Sequence, residues 1–149
     1  MNEILIQQGE NKVAIALLSE ETEDLPSKGH LYLRIKISSN GYSGENDLWV
    51  LGYDFKEFCK ALTILNEERK GEAVLYGMSP HELEIRICSV SQLGHLAVCG
   101  FTGHEVLGEN HTFEHQVTFG FEIDPTQLEK MVNSKWVRDS ALMHIDRPV

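Results

Sequence analysis

Along the first half of the chain, apolar and polar residues alternate. In HLYLRIKI, Leu31, Leu33, Ile35 and Ile37 fall on one face, and His30, Tyr32, Arg34 and Lys36 on the other. A period of two with one polar side predicts a strand in an antiparallel sheet that is wet on one face. Glu3–Gln7 and Val13–Leu18 predict two earlier strands joined by QGEN. The segment EETEDLPSKG reads as an acidic loop and SSNGYSGEN as a turn-rich hairpin connection, with Asn46–Tyr53 as the returning strand.

The period then changes. DFKEFCKALTILNEERK, Asp54–Lys70, sets Phe55, Phe58, Leu62 and Leu65 on one helical stripe. Asp54 with Glu57 resembles a capping box, Arg69 and Lys70 suit the negative end of the helix dipole, and Gly71 suits a left-handed C′ position. Strands resume at Ala73–Gly77, Glu82–Val90, His95 to about Thr102, and Thr112–Ile123, with Ser91–Gly94 as a tight connection. On the last of these strands Phe113, Val117, Phe119, Phe121 and Ile123 share a face. Asp124, Pro125 and Gln127 supply a cap, a first-turn proline and a capping-box glutamine for a second helix, whose Leu128, Met131 and Val132 face inward. Residues 135–149 read as a loosely ordered tail anchored by Trp136 and Val137. The whole chain, 1–149, is expected to be one α+β domain: a predominantly antiparallel sandwich or half-barrel of about eight strands with two amphipathic helices packed on it.

Charge narrows the function. The net charge is −10, from thirteen basic and twenty-three acidic side chains. Nucleic-acid binding needs clustered Lys and Arg to neutralise phosphate, so this balance argues against it. An acidic surface can attract a basic partner and accelerate its docking, and the plainer reading of the same charge is that it only keeps a small protein soluble. No apolar run approaches the ~20 residues that span a bilayer, and MNEILIQQGE lacks the pattern of a secretory signal. Cys59, Cys88 and Cys99 form no CxxC pair and no even framework, so a reduced, cytoplasmic setting is expected.

Candidate chemistry concentrates in GHLAVCGFTGHEVLGENHTFEH, which holds His95, His104, His111 and His115. His111 and His115 cannot chelate one ion from a strand, because four residues span about 13 Å. A hairpin centred on Leu107 and Gly108 would instead set His104 opposite His111, with Val98 opposite Val117 and Leu96 opposite Phe119. Glu105 and Glu109 would then stand beside the two imidazoles. The competing reading is a polar hairpin end, in which His95 caps a turn and His115 sits at the rim of the core. No P-loop, GxGxxG, nucleophile elbow or zinc-ligand spacing is present. Neither a metal nor a cofactor is therefore expected. Cys88 and Cys99 are expected near each other across a hairpin as a reduced pair.

The order GEAVLYGM, LEIRICSV, the Gly94–His95 turn, a long hairpin and FGFEIDPTQLEKMV resembles the WapI-like family of small bacterial immunity proteins. The likeness spans Asp54–Ser134. It implies a cytoplasmic antidote that binds and blocks a toxin domain, in the family's type member a tRNA-cutting nuclease, and it carries over no catalytic residues. A nuclease holds RNA on a basic surface, so carboxylates suit its antidote. The expected contact residues are Glu82, Glu84, Glu105, Glu109 and Glu114, with Glu20, Glu21, Glu23 and Asp24 as further exposed acids. The reading from another class is a small metal-dependent or ligand-binding β-barrel enzyme built on His104 and His111. A third is an oligomeric scaffold.

Overall fold

The computed structural model describes residues 2–143. Strands β1 (Glu3–Gln8), β2 (Asn11–Glu20), β3 (Leu31–Ser39) and β4 (Tyr42–Val50) form an antiparallel sheet in chain order. Helix α1 (Gly52–Glu68) connects it to a second antiparallel sheet, β5 (Glu72–Tyr76), β6 (Leu83–Ser89), β7 (Leu96–Leu107) and β8 (Thr112–Ile123), again in chain order. Helices α2 (Pro125–Asn133) and α3 (Lys135–Leu142) follow. The expected α+β class with eight antiparallel strands is what the chain forms.

The alternation has one consequence: each sheet has a single apolar face. Ile4, Ile6, Val13, Ile15, Leu33, Ile35, Ile37, Leu48 and Val50 from the first sheet join Ala73, Leu75, Ile85, Ile87, Leu96, Val98, Phe119, Phe121 and Ile123 from the second in one buried cluster. The α1 stripe, Phe55, Phe58, Leu62 and Leu65, closes that cluster together with Leu128, Met131 and Val132 of α2. Helix α1 runs along β5 and packs against both later helices.

Several boundaries differ from the sequence reading. Asn40 (φ 51°) and Gly41 (φ 89°) alone make the β3–β4 turn, so β4 starts at Tyr42. Both central residues of a tight I′ turn need positive φ, which Asn-Gly supplies. Gly52 and Tyr53, read as strand, begin α1 instead. Its N-cap is Leu51, with no side-chain cap bond, and Asp54 lies in the first turn, where an acid suits the dipole. Arg69 (φ 56°), rather than Gly71, takes the left-handed cap and donates its N–H to the Leu65 carbonyl. The start of α2 is as expected: Asp124 accepts from the Thr126 N–H at 2.9 Å, with Pro125 at the first helical position.

A third helix corrects the expectation of a loose tail. Ser134 donates its hydroxyl to the Met131 carbonyl at the end of α2 and accepts from the Val137 N–H at the start of α3. Val137 is fully buried, and the Trp136 ring stacks on Phe55 at 4.7 Å. Val137 and Ala141 are spaced for one helical face beside Trp136, but over eight residues that pattern is too short to mark α3 by periodicity alone. A helix this short is stable through packing rather than propensity. Residues 144–149 of the expected tail lie outside the described residues.

Phe58 touches the centre of the shared core and is 1 % exposed. Phe58→Ala should cost ~3–5 kcal/mol by leaving a cavity. The calorimetric Tm is expected to fall by on the order of 10 °C; an unchanged Tm would contradict the packing described.

Candidate functional site

The second sheet is uneven. Its strands β5 and β6 have 5 and 7 residues, whereas β7 and β8 have 12 each. The last β6–β7 pair is Leu83 with Thr102, followed by one bond from the Gly103 N–H to the Glu82 carbonyl. Beyond it, Gly103–Leu107 and Thr112–Gln116 pair only with each other. They form a two-stranded ribbon on the order of 17 Å long at ~3.4 Å per residue. The turn is closed by the Gly108 N–H donating to the His111 carbonyl at 2.8 Å. From His104 to Gln116 every residue except Gly108 is exposed.

The base of the ribbon is firmly mounted. Gly100 has φ +145°, and a Cβ there would lie 1.8 Å from the Glu84 carbonyl oxygen, so only glycine lets β7 run this close to β6. Asn46 of β4 reaches across from the other sheet. Its Nδ2 donates to Thr102 Oγ1 at 3.2 Å and to the Gly103 carbonyl at 2.8 Å. The buried Thr102 hydroxyl in turn donates to the Glu82 carbonyl at 2.8 Å.

The observed register corrects the histidine pairing. His104 lies opposite His115, not His111, with ring centroids 5.7 Å apart. Val98 faces Phe121 and Leu96 faces Ile123, displacing the expected partners Val117 and Phe119. His111 sits in the turn, edge-on to Phe113. The His104–His111 centre of the enzyme reading is therefore not assembled. Among the described residues no three His, Cys, Asp or Glu side chains converge to hold a metal ion. His115 does continue the apolar face of β8, but beyond the core rather than at its rim.

The ribbon has two chemically distinct faces. On the side that continues the core face lie the cross-strand pairs His104–His115 and Val106–Phe113. On the other side Glu105 stands directly opposite Glu114, and Glu109 is exposed in the turn. Strand alternation carries that acidic face down to Glu84, opposite Phe101, while Glu82 lies at the ribbon's base.

These acids are not equivalent. Glu84 pairs with Arg86, which also holds Glu72. On the first sheet, Arg34 grips Asp47 with two bonds of 2.9 and 3.0 Å and reaches Glu45 at 3.1 Å. The hydrogen-bonded guanidinium holds the Asp47 carboxyl below the usual carboxylate range. Among the described ion pairs none includes Glu105, Glu109 or Glu114. The expected contact set thus divides into Glu84, which shares Arg86 with Glu72, and Glu82, Glu105, Glu109 and Glu114, which enter no described ion pair.

Sequence reasoning placed the acids on the ribbon but missed its exposed apolar face. On that face Val106 and Phe113 are 44 and 55 % exposed, while Leu107, 83 % exposed, lies on the side of Glu105 and Glu114. The strand expected to end at about Thr102 runs on to Leu107, so β7 and β8 outrun the strands available to pair with them. His95 takes the turn role expected of it. Its Nδ1 lies 3.0 Å from Ser91 Oγ, which also accepts from the N–H groups of Leu93 and His95.

All three cysteines are free. Arg86 faces Cys99 and Cys88 faces Ala97, which puts Cys88 and Cys99 diagonally on the outer face of the second sheet. Burial first, and Cys99 second, raise the Cys88 thiol above its ordinary range. Cys59 is completely buried on α1, and that burial pushes its thiol up to about 12.

The sequence profile of the immunity protein WapI-like family matches residues 4–135. The match runs from β1 to the first residue of α3 and takes in both sheets and the ribbon. No curated protein and no solved structure matches the chain.

The cysteines give a test of the core. In the native protein, iodoacetamide should alkylate Cys88 and Cys99 well before Cys59, as peptide mass spectrometry would read. The raised Cys59 pKa also fixes a sign. Its contribution to stability is fully present below the unfolded thiol's pKa of about 8.5 and is lost as pH climbs towards the folded value of about 12. Denaturant midpoints should therefore fall across that window, and less so in Cys59→Ala. Early labelling of Cys59 would contradict this burial.

Proposed function

This chain belongs to the immunity protein WapI-like family, and we propose that it neutralises a cognate bacterial toxin by binding it directly, without catalysis. The family match over residues 4–135 is the observation that carries this reading. We take the partner to be a basic toxin domain, such as a nuclease, met in the cytoplasm. The net charge of −10 and the unpaired Glu105, Glu109 and Glu114 support a basic partner. A domain that grips nucleic acid carries clustered Lys and Arg, and an antidote opposing those charges with carboxylates is drawn to the same surface.

Charge complementarity of this kind acts mainly on encounter. Like-signed acids on a projecting ribbon raise the association rate at low salt and lose that advantage as salt screens them. Dissociation depends on the buried part of the contact.

The decisive experiment is to find whether a neighbouring gene encodes a small basic toxin domain and to co-express the chain with it. Wild type should restore growth and co-purify with that domain; no rescue and no complex would refute the immunity reading. The association rate of the purified pair should fall steeply with added salt. Glu105→Lys with Glu109→Lys should lower it by about ten-fold, while stability stays within ~0.5 kcal/mol. Equal association rates for wild type and the reversed variant would remove the ribbon acids from the encounter surface without touching the family assignment.

A further inference from the structure

Resting on that reading, we propose that the core-continuing face of the β7–β8 ribbon is the anchor of the complex. In this proposal Val106 and Phe113 seat in an apolar cleft of the toxin domain whose rim is lined with Lys or Arg. His104 and His115 flank them.

Folding gives this face no occupant. Val106 and Phe113 are directly opposed on antiparallel strands, yet they remain 44 and 55 % exposed, because the β4 segment Ser43–Asn46 reaches only the base of the ribbon, beside His104, His115 and Gln116. A two-stranded ribbon without a covered face is marginal in water, so extending β7 and β8 this far contributes little to the fold. The other face is also unsatisfied. Glu105 and Glu114 are like charges in a direct cross-strand pair, an arrangement that repels. The two deficits have one remedy. A partner with an apolar slot and a cationic rim would cover Val106 and Phe113 and neutralise Glu105, Glu109 and Glu114 at once.

Two alternatives fit less well. A second copy of this chain would bring net charges of −10 together and set these carboxylates against one another. On the first sheet the half-buried Tyr32 and the exposed Trp49 already pack ring against ring, tilted at 41° with centroids 5.1 Å apart, and the neighbouring Arg34 is held by Asp47 and Glu45. That patch has its own partners. The ribbon's acids enter no described ion pair, and its mounting through Gly100, Asn46 and Thr102 presents it ready-shaped, which lowers the ordering cost of binding.

The test uses the chain of 149 residues and the toxin domain against which it rescues growth in co-expression, with dissociation measured at fixed salt. Phe113→Ser and, separately, Val106→Ser should each speed dissociation by roughly 30-fold, the scale of an interface hot spot. Leu93→Ser, at an equally apolar and 85 % exposed position in the turn before β7, should leave the rate unchanged. Thermal melts must show both ribbon variants folded; if Phe113→Ser melts early, Val106→Ser decides. Wild-type dissociation rates in folded variants would overturn the anchor while leaving the immunity reading intact. A wild-type chain that forms no complex would overturn both. Sedimentation showing a wild-type dimer that Phe113→Ser abolishes would assign the face to a second copy and also overturn the proposal.

Discussion

Each four-stranded sheet has one apolar face, and neither can bury that face alone. This constraint organises the rest of the molecule. An isolated antiparallel meander leaves a plane of aliphatic side chains in water; covering it is worth ~1.5–3 kcal/mol per fully buried residue. The chain covers both planes with one core. Phe55, Phe58, Leu62 and Leu65 on α1 enter the same cluster as Ile35 of the first sheet and Ile85 of the second. The helix is therefore more than a connection between β4 and β5. The two later helices complete the enclosure, Trp136 by stacking on Phe55 and Val137 by full burial.

A core built in this way also decides what is left outside it. Strand β7 starts beside β6 within the core and continues past its end, and β8 returns along β7 from the turn into the core. Their alternation continues unchanged, so the side that carries Val98 and Phe121 in the core carries Val106 and Phe113 in water. The polar side changes in parallel. Nearer the core, Glu84 and Glu72 share Arg86; on the ribbon, Glu105 and Glu114 share nothing. An immunity protein needs no reactive group, only a surface whose free energy falls on meeting its partner. A segment whose apolar and charged sides are both unsatisfied within the fold has that property.

How legible this was in the sequence depends on what each pattern can encode. Period two determines which side of a strand faces inward, and it did so correctly for Leu31 through Ile37 and for Phe119 through Ile123. It does not determine which residue sits opposite which. Moving the partner of His104 from His111 to His115 shifts β8 by an even number of residues, which keeps every apolar face matched. The consistency of Val98 with Val117 was thus no evidence for that register. The true register follows from the turn, where Gly108 closes on His111 and leaves Glu109 and Asn110 at the tip. Helix α3 was hidden for another reason: its stability comes from Trp136 and Val137 meeting α1, a contact between distant parts of the chain that no local window contains.

The same distinction explains why the acidic residues were readable while their meaning was not. Composition shows an excess of carboxylates without saying which are neutralised by the fold. Only the pairing of strands shows Arg34 committed to Asp47 and Glu45, and Arg86 to Glu72 and Glu84. Subtracting such pairs concentrates the excess charge at unpaired positions, among them the ribbon's Glu105, Glu109 and Glu114. Because surface ion pairs contribute only about 0–1 kcal/mol each, those arginines add little to stability. Their larger effect is on the distribution of charge: they quiet the sheet faces and leave the ribbon's acids uncancelled. The surface is left with a gradient of charge between a quieted face and an uncancelled tip.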